Sequence, residues 1–246
     1  PTHNMRTNAV MLRNRRIGLS MTGIVQFLSN NNMAILKKWM REGYTTTCYY
    51  DEIYSDWLAV PKSKKLTMIK PSGTISLLAG ATPGIHYPES KYYIRRVRLA
   101  NNSQYVTTLK NANYELEPAS EDPQNTTIVS FPICAGENVK TINDVTMWEQ
   151  LNMASFAQEN WADNSVSVTI TFKPEESKSI QSALDYYQFK LKSVSFLPKI
   201  NVGAYKQMPY EEITKEQYEL LLSKLKPISF SESFSSESLG EKYCSN

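Results

Sequence analysis

Apolar and polar positions along the chain mark out its elements before any chemistry is considered. Residues 34–59 read as one helix with a weak point at Gly43, and Ile53, Trp57 and Val60 keep helical spacing up to the stop at Pro61. A short β-branched strand follows, Leu66-Thr67-Met68-Ile69, and leads into a segment punctuated by glycine and proline, residues 71–88. Residues 92–100 and 127–131 are expected to be extended. Met147, Trp148, Leu151 and Ala154 define an amphipathic helix that Asn143 or Asp144 would cap.

The clearest strand alternates with period two: Val166, Val168, Ile170 and Phe172 on one face, Ser165, Ser167, Thr169 and Thr171 on the other. Pro174 suits the first turn of a helix running to about Lys192. Thr214 and Gln217 form a capping box, with Ile213 and Tyr218 placed for a hydrophobic staple. Tyr218, Leu221, Leu222 and Leu225 would be the buried face of that helix, and Pro227 ends it. Strands alternating with helices imply an α/β fold, and four or five strands are too few for a closed barrel. Beyond Phe230 the chain is rich in serine and glutamate, and we expect a flexible tail. The expected division is therefore a barrel-type domain over 1–228 and a tail over 229–246.

Composition narrows the function classes. A net charge of +3 is too small to argue for nucleic acid or a membrane surface as partner, although a local site could still take an anionic small molecule. No apolar run reaches the length of a membrane span, and residues 1–16 lack the apolar centre of a signal peptide. Cys48, Cys134 and Cys244 are odd in number and far apart, so a reducing, cytoplasmic setting is expected rather than a disulfide framework. The chain opens on Pro1 without a methionine and closes on Cys244-Ser245-Asn246, and we read it as a fragment. His3 and His86 are isolated, a poor basis for a metal site.

The segment that carries chemistry is Lys70-Pro71-Ser72-Gly73-Thr74-Ile75-Ser76. Pro71 fixes the backbone at the turn, and Gly73 lets a ligand approach the main chain. Ser72, Thr74 and Ser76 add hydroxyl donors, and backbone N–H groups at such a turn suit an anion, with phosphate the natural occupant. Spacing alone favours an ordinary strand-to-helix turn with a serine or threonine cap, because short glycine-serine motifs recur by chance.

With the following Leu77-Leu78-Ala79-Gly80-Ala81-Thr82-Pro83-Gly84-Ile85-His86, this segment resembles the phosphate loop of adenosylcobalamin-dependent ribonucleotide reductases. Three other blocks are similar to the same family and fall in family order: Asn14-Arg15-Arg16-Ile17-Gly18-Leu19, residues 161–170 beginning Trp161-Ala162-Asp163-Asn164, and Gln207-Met208-Pro209-Tyr210. The resemblance implies the C-terminal half of a ten-stranded α/β barrel of the ribonucleotide reductase type. It implies reduction of ribonucleoside triphosphates by a thiyl radical that adenosylcobalamin generates. Pro71, Ser72, Gly73, Thr74 and Ile75 would hold the substrate phosphates.

The family's radical cysteine would lie upstream, in a missing N-terminal half, so this chain alone is expected to be inactive. Cys48 and Cys134 fall outside any family role and read as incidental thiols. Cys244 resembles the first of a pair of tail cysteines recharged by thioredoxin or a similar dithiol. Its resolving partner is not in this sequence. His86 reads most simply as a hydrogen-bonded loop histidine beside the phosphate segment. Arg95, Arg96 and Arg98 read as a solvated face, with triphosphate binding as the sharper reading. The competing class is a non-catalytic nucleotide-binding or regulatory module that keeps the phosphate loop. A glycyl-radical relative is a third reading, and the tail offers it only Gly240.

Overall fold

Helix starts follow the side chains able to cap them. Asn4 accepts from the amides of Arg6 and Thr7 and opens α1, Met5–Asn14. In the computed structural model, which describes residues 3–73, 75–199 and 207–228, the order continues with β1, Arg16–Ser20, α2, Ile24–Asn30, and α3, Met33–Trp57. Next come β2, Lys65–Met68, and the single turn α4, Ile75–Leu78. The middle of the chain gives β3, Tyr92–Ala100, α5, Gln104–Asn111, β4, Glu115–Pro118, and β5, Thr126–Cys134. The last third gives α6, Met147–Asn160, β6, Thr169–Phe172, α7, Ile180–Tyr187, β7, Ser195–Pro198, β8, Tyr210–Glu212, and α8, Lys215–Lys224.

The chain divides into two compact units, residues 1–91 with 135–201, and residues 92–134 with 202–246. In the first, β1 runs parallel to β2 and β6 parallel to β7. A parallel bridge from Ile69 to Val166 links the two pairs. The period-two pattern predicted this: Val166, Val168 and Ile170 are buried, whereas Ser165, Ser167 and Thr169 are not. The continuous ladder is confined to Thr169–Phe172, because Ser167 instead donates its amide to the carbonyl of Ile69. Met40, Ile69, Met147, Leu151 and Ile170 are fully buried at the centre of this core.

In the second unit the strands are antiparallel in the order β4-β5-β3-β8, with Ile128 and Val129 of β5 fully buried. Helix α8 lies against β5 and β3 and is capped as the sequence predicts. Thr214 accepts from the Gln217 amide, and the Gln217 side chain accepts from the Thr214 amide.

Four sequence expectations need correction. The described residues contain eight strands rather than four or five, since β1, β4, β7 and β8 are too short or too polar to show a period. Helix α6 is capped by Thr146, not by Asn143 or Asp144. The Asp144 carboxylate is engaged by the Thr141 amide and hydroxyl, both at 2.8 Å, and Asn143 takes the Lys199 ammonium. The segment from Pro174 begins as a 3-10 helix, Pro174–Ser179, and its α-helix stops at Tyr187. On α8, Tyr218, Leu221 and Leu225 are only half-buried and Leu222 is exposed.

Candidate functional site

The parallel strands of the first unit set the site. Thr67 and Ile69 are fully buried, so the chain leaves β2 with its last turn fixed from below. Pro71, Ser72 and Gly73 then form a turn, and Ile75 begins α4. Thr74 lies outside the described residues. Ser72 takes a left-handed backbone, φ +47°, an unusual conformation for serine, and its carbonyl accepts from the Ser76 amide at 3.0 Å. Among the described residues, none accepts from the amides of Ser72, Gly73 or Ile75. Unpaired N–H groups next to a left-handed residue make an anion-accepting concavity. At four residues α4 adds little dipole, so the turn itself supplies the donors.

A second segment holds this turn in place, and sequence reasoning missed it. Ser20, at the end of β1, accepts from the Lys70 amide at 2.8 Å. Thr22 lies within hydrogen-bond distance of the Ser72 hydroxyl, the Thr82 carbonyl and the Gly84 amide. Gln26 accepts from the Thr82 amide at 2.7 Å and donates to the carbonyls of Gly80 and Ala135. The signal was present as Ser20-Met21-Thr22-Gly23, hydroxyls and a glycine directly after a strand.

Lys70, exposed and directly before Pro71, is the charged residue adjoining the turn in sequence, whereas Lys62 is paired with Glu52. The hydroxyls of Ser76 and Thr82 are buried and have no hydrogen-bond partner among the described residues. His86 occupies the same region. Its Nε2 accepts the Thr169 amide at 3.2 Å, and burial lowers its pKa below the usual value. That bond matches the expectation of a hydrogen-bonded loop histidine.

The other predicted residues separate from this turn. Ile75 is exposed. Cys48 lies within α3, and Cys134 ends β5. Cys244 and the whole tail lie outside the described residues. Of the arginine cluster, Arg98 is exposed as expected, whereas Arg95 and Arg96 are not a solvated face. Arg96 is largely buried, pairing with Glu211 and, at 3.8 Å, with Glu117, while Arg95 sits 4.5 Å from the centre of the Tyr210 ring. The guanidinium groups of Arg95 and Arg96 are engaged within their own sheet. Among the described residues, no group of three or more histidine, cysteine, aspartate or glutamate side chains is arranged to hold a metal ion.

Parallel strands leading into the turn at Pro71–Gly73 define an α/β protein. Comparison with known proteins gives the family. The model of the ribonucleotide reductase barrel domain matches residues 62–197. The adenosylcobalamin-dependent ribonucleoside-triphosphate reductase of Euglena gracilis is 54% identical over 227 residues, covering 92% of this chain and 31% of that protein. A probable adenosylcobalamin-dependent ribonucleoside-triphosphate reductase of Dictyostelium discoideum is 50% identical over 243 residues, covering 97% of this chain and 32% of that protein. A crystal structure of a B-12 dependent (class II) ribonucleotide reductase superposes with a TM-score of 0.80 at 32% identity, over 95% of this chain and 36% of the other. The chain belongs to the ribonucleotide reductase family, within its barrel domain. It spans about a third of the length of these relatives, rather than the half expected from sequence. No described helix is long and apolar enough to cross a membrane.

Proposed function

We propose that this chain supplies the substrate-phosphate turn of an adenosylcobalamin-dependent ribonucleoside-triphosphate reductase. The observation that carries the reading is the turn at Pro71–Gly73, with its left-handed Ser72 and the amides of Ser72, Gly73 and Ile75, which have no acceptor among the described residues. Amide donors held by a rigid frame bind a phosphate without reorganising, which places the ribose for reaction. Thr74 belongs to the same proposed set by sequence, although it is not among the described residues.

The names of the relatives give adenosylcobalamin as the cofactor, and that group would supply the radical by homolysis of its cobalt–carbon bond. His86 does not fit the part of a cobalt ligand, because its Nε2 lone pair is already taken by the Thr169 amide. The radical cysteine would come from sequence outside this chain. Cys244 would exchange with thioredoxin or a similar dithiol, provided a resolving thiol is present.

The test is deoxynucleotide formation by the complete protein from a ribonucleoside triphosphate and a dithiol reductant, with and without adenosylcobalamin. The proposal expects product only when the cofactor is added. Nucleotide binding without turnover under any cofactor condition would favour a regulatory module instead.

A further inference from the structure

The Thr22 hydroxyl is within hydrogen-bond distance of three groups in the phosphate segment, and their chemistry fixes the direction of each bond. The carbonyl of Thr82, at 2.9 Å, can only accept, so Thr22 donates its one hydrogen there. The amide of Gly84, at 2.9 Å, can only donate, so Thr22 accepts from it. The contact to Ser72, at 3.0 Å, must then run from the Ser72 hydroxyl to Thr22. One side chain thus joins the start of the turn at Ser72 to its return at Thr82 and Gly84. Neighbouring residues repeat the pattern: the Gly23 amide donates to Thr82 and the Ile24 amide to Gly84.

A consequence for ligand binding follows. With its hydrogen given to Thr22, the Ser72 hydroxyl has only lone pairs left and cannot donate to an anion. At Ser72 and Gly73 the donors that remain are the main-chain amides, whose aim depends on the left-handed backbone of Ser72. We infer that Thr22 is a positioning residue for the substrate-phosphate turn: by tethering the Ser72 side chain it holds the turn in the shape that points its amides at phosphate. Thr22 touches no reacting atom and acts through Ser72. It is exposed, so loss of its hydroxyl does not open the core. This inference rests on the phosphate reading above.

The experiment is steady-state kinetics of the complete protein with a ribonucleoside triphosphate, comparing wild type, Thr22→Val and Thr22→Ser. Thr22→Val keeps the shape and loses the hydroxyl. It should raise KM about tenfold, the scale of one lost hydrogen bond to a group that then lacks a partner, with kcat lowered less. Thr22→Ser restores the hydroxyl and should return KM to within about threefold of wild type. A KM for Thr22→Val equal to that of wild type overturns the inference, as does a raised KM that Thr22→Ser fails to rescue. If Thr22→Val does not accumulate, Thr22→Ala carries the same test. If neither accumulates, Thr22 serves general stability and the positioning role is withdrawn. Wild-type protein with no turnover would instead count against the phosphate reading, so the two failures are distinguishable.

Discussion

Gly84 packs directly against the carbonyl of Lys70. A β-carbon placed on Gly84 would sit 2.3 Å from that oxygen, and the backbone there is left-handed, φ +51°. The obstacle is main chain rather than a flexible side chain, so nothing nearby can swing aside. Gly84 is where the segment after α4 folds back over the end of β2, beside the Thr22 hydroxyl. Gly84→Ala should destabilise the protein by about 1–3 kcal/mol, from the cost of the left-handed conformation together with the clash. Urea denaturation measures this, and a midpoint equal to wild type would refute the packing described.

The His86 imidazole gives a pH dependence whose sign is fixed. Burial lowers its folded-state pKa below the ordinary value of 6.5, so the unfolded chain binds the proton more readily. The stability that neutral His86 contributes is therefore present above about pH 6.5 and declines as pH falls through that value toward the folded-state pKa. Protonation also takes the lone pair that accepts the Thr169 amide. His86→Gln keeps an acceptor in a group that does not titrate. Stability curves for wild type and His86→Gln should converge above pH 7 and separate below pH 6, with wild type the more sensitive. Parallel curves across that range would contradict the assignment.

Gln150 holds β6 in place with one side chain. Its Oε1 accepts from the Thr171 amide at 3.0 Å and its Nε2 donates to the Thr171 carbonyl at 2.7 Å. Gln150 is itself buried. Gln150→Leu conserves volume and leaves both main-chain groups unpaired. It should cost about 2–4 kcal/mol, one to two unsatisfied groups at the usual penalty. Thermal unfolding should show a clear fall in Tm, whereas an unchanged Tm would mean that water replaces the amide.

Arg96 was open to two readings in the sequence, and its geometry decides between them. It pairs with Glu117 and Glu211 and donates to the Met208 carbonyl at 3.2 Å. Arg96→Met should lower stability by about 1–3 kcal/mol, because both carboxylates remain partly exposed and water recovers some of the loss. The preference for triphosphate over diphosphate in the complete protein should not move. A selective loss of triphosphate binding would restore the reading set aside here.

Much of the framework was legible because it depends on local rules. The capping box at Thr214 and Gln217 and the alternation from Ser165 to Phe172 each encode an element in a few adjacent residues. The turn at Pro71–Gly73 was legible for the same reason, since proline and glycine mark a change of backbone direction. What escaped was set by distant partners. Thr146 caps α6 only because Asp144 is held by Thr141 and Asn143 by Lys199, the second 56 residues away. Arg96 reads as a surface charge until β8 brings Glu211 alongside. Thr22 is an unremarkable threonine in sequence, and its importance arises from residues 50 to 62 positions downstream.

The central claim is that the main-chain amides around Gly73 receive the phosphates of a ribonucleotide. Gly73→Val in the complete protein places a branched side chain where the ligand approaches the backbone, so the KM for a ribonucleoside triphosphate should rise about tenfold or more while Tm stays close to wild type. A variant that folds as wild type and keeps an unchanged KM would contradict the account.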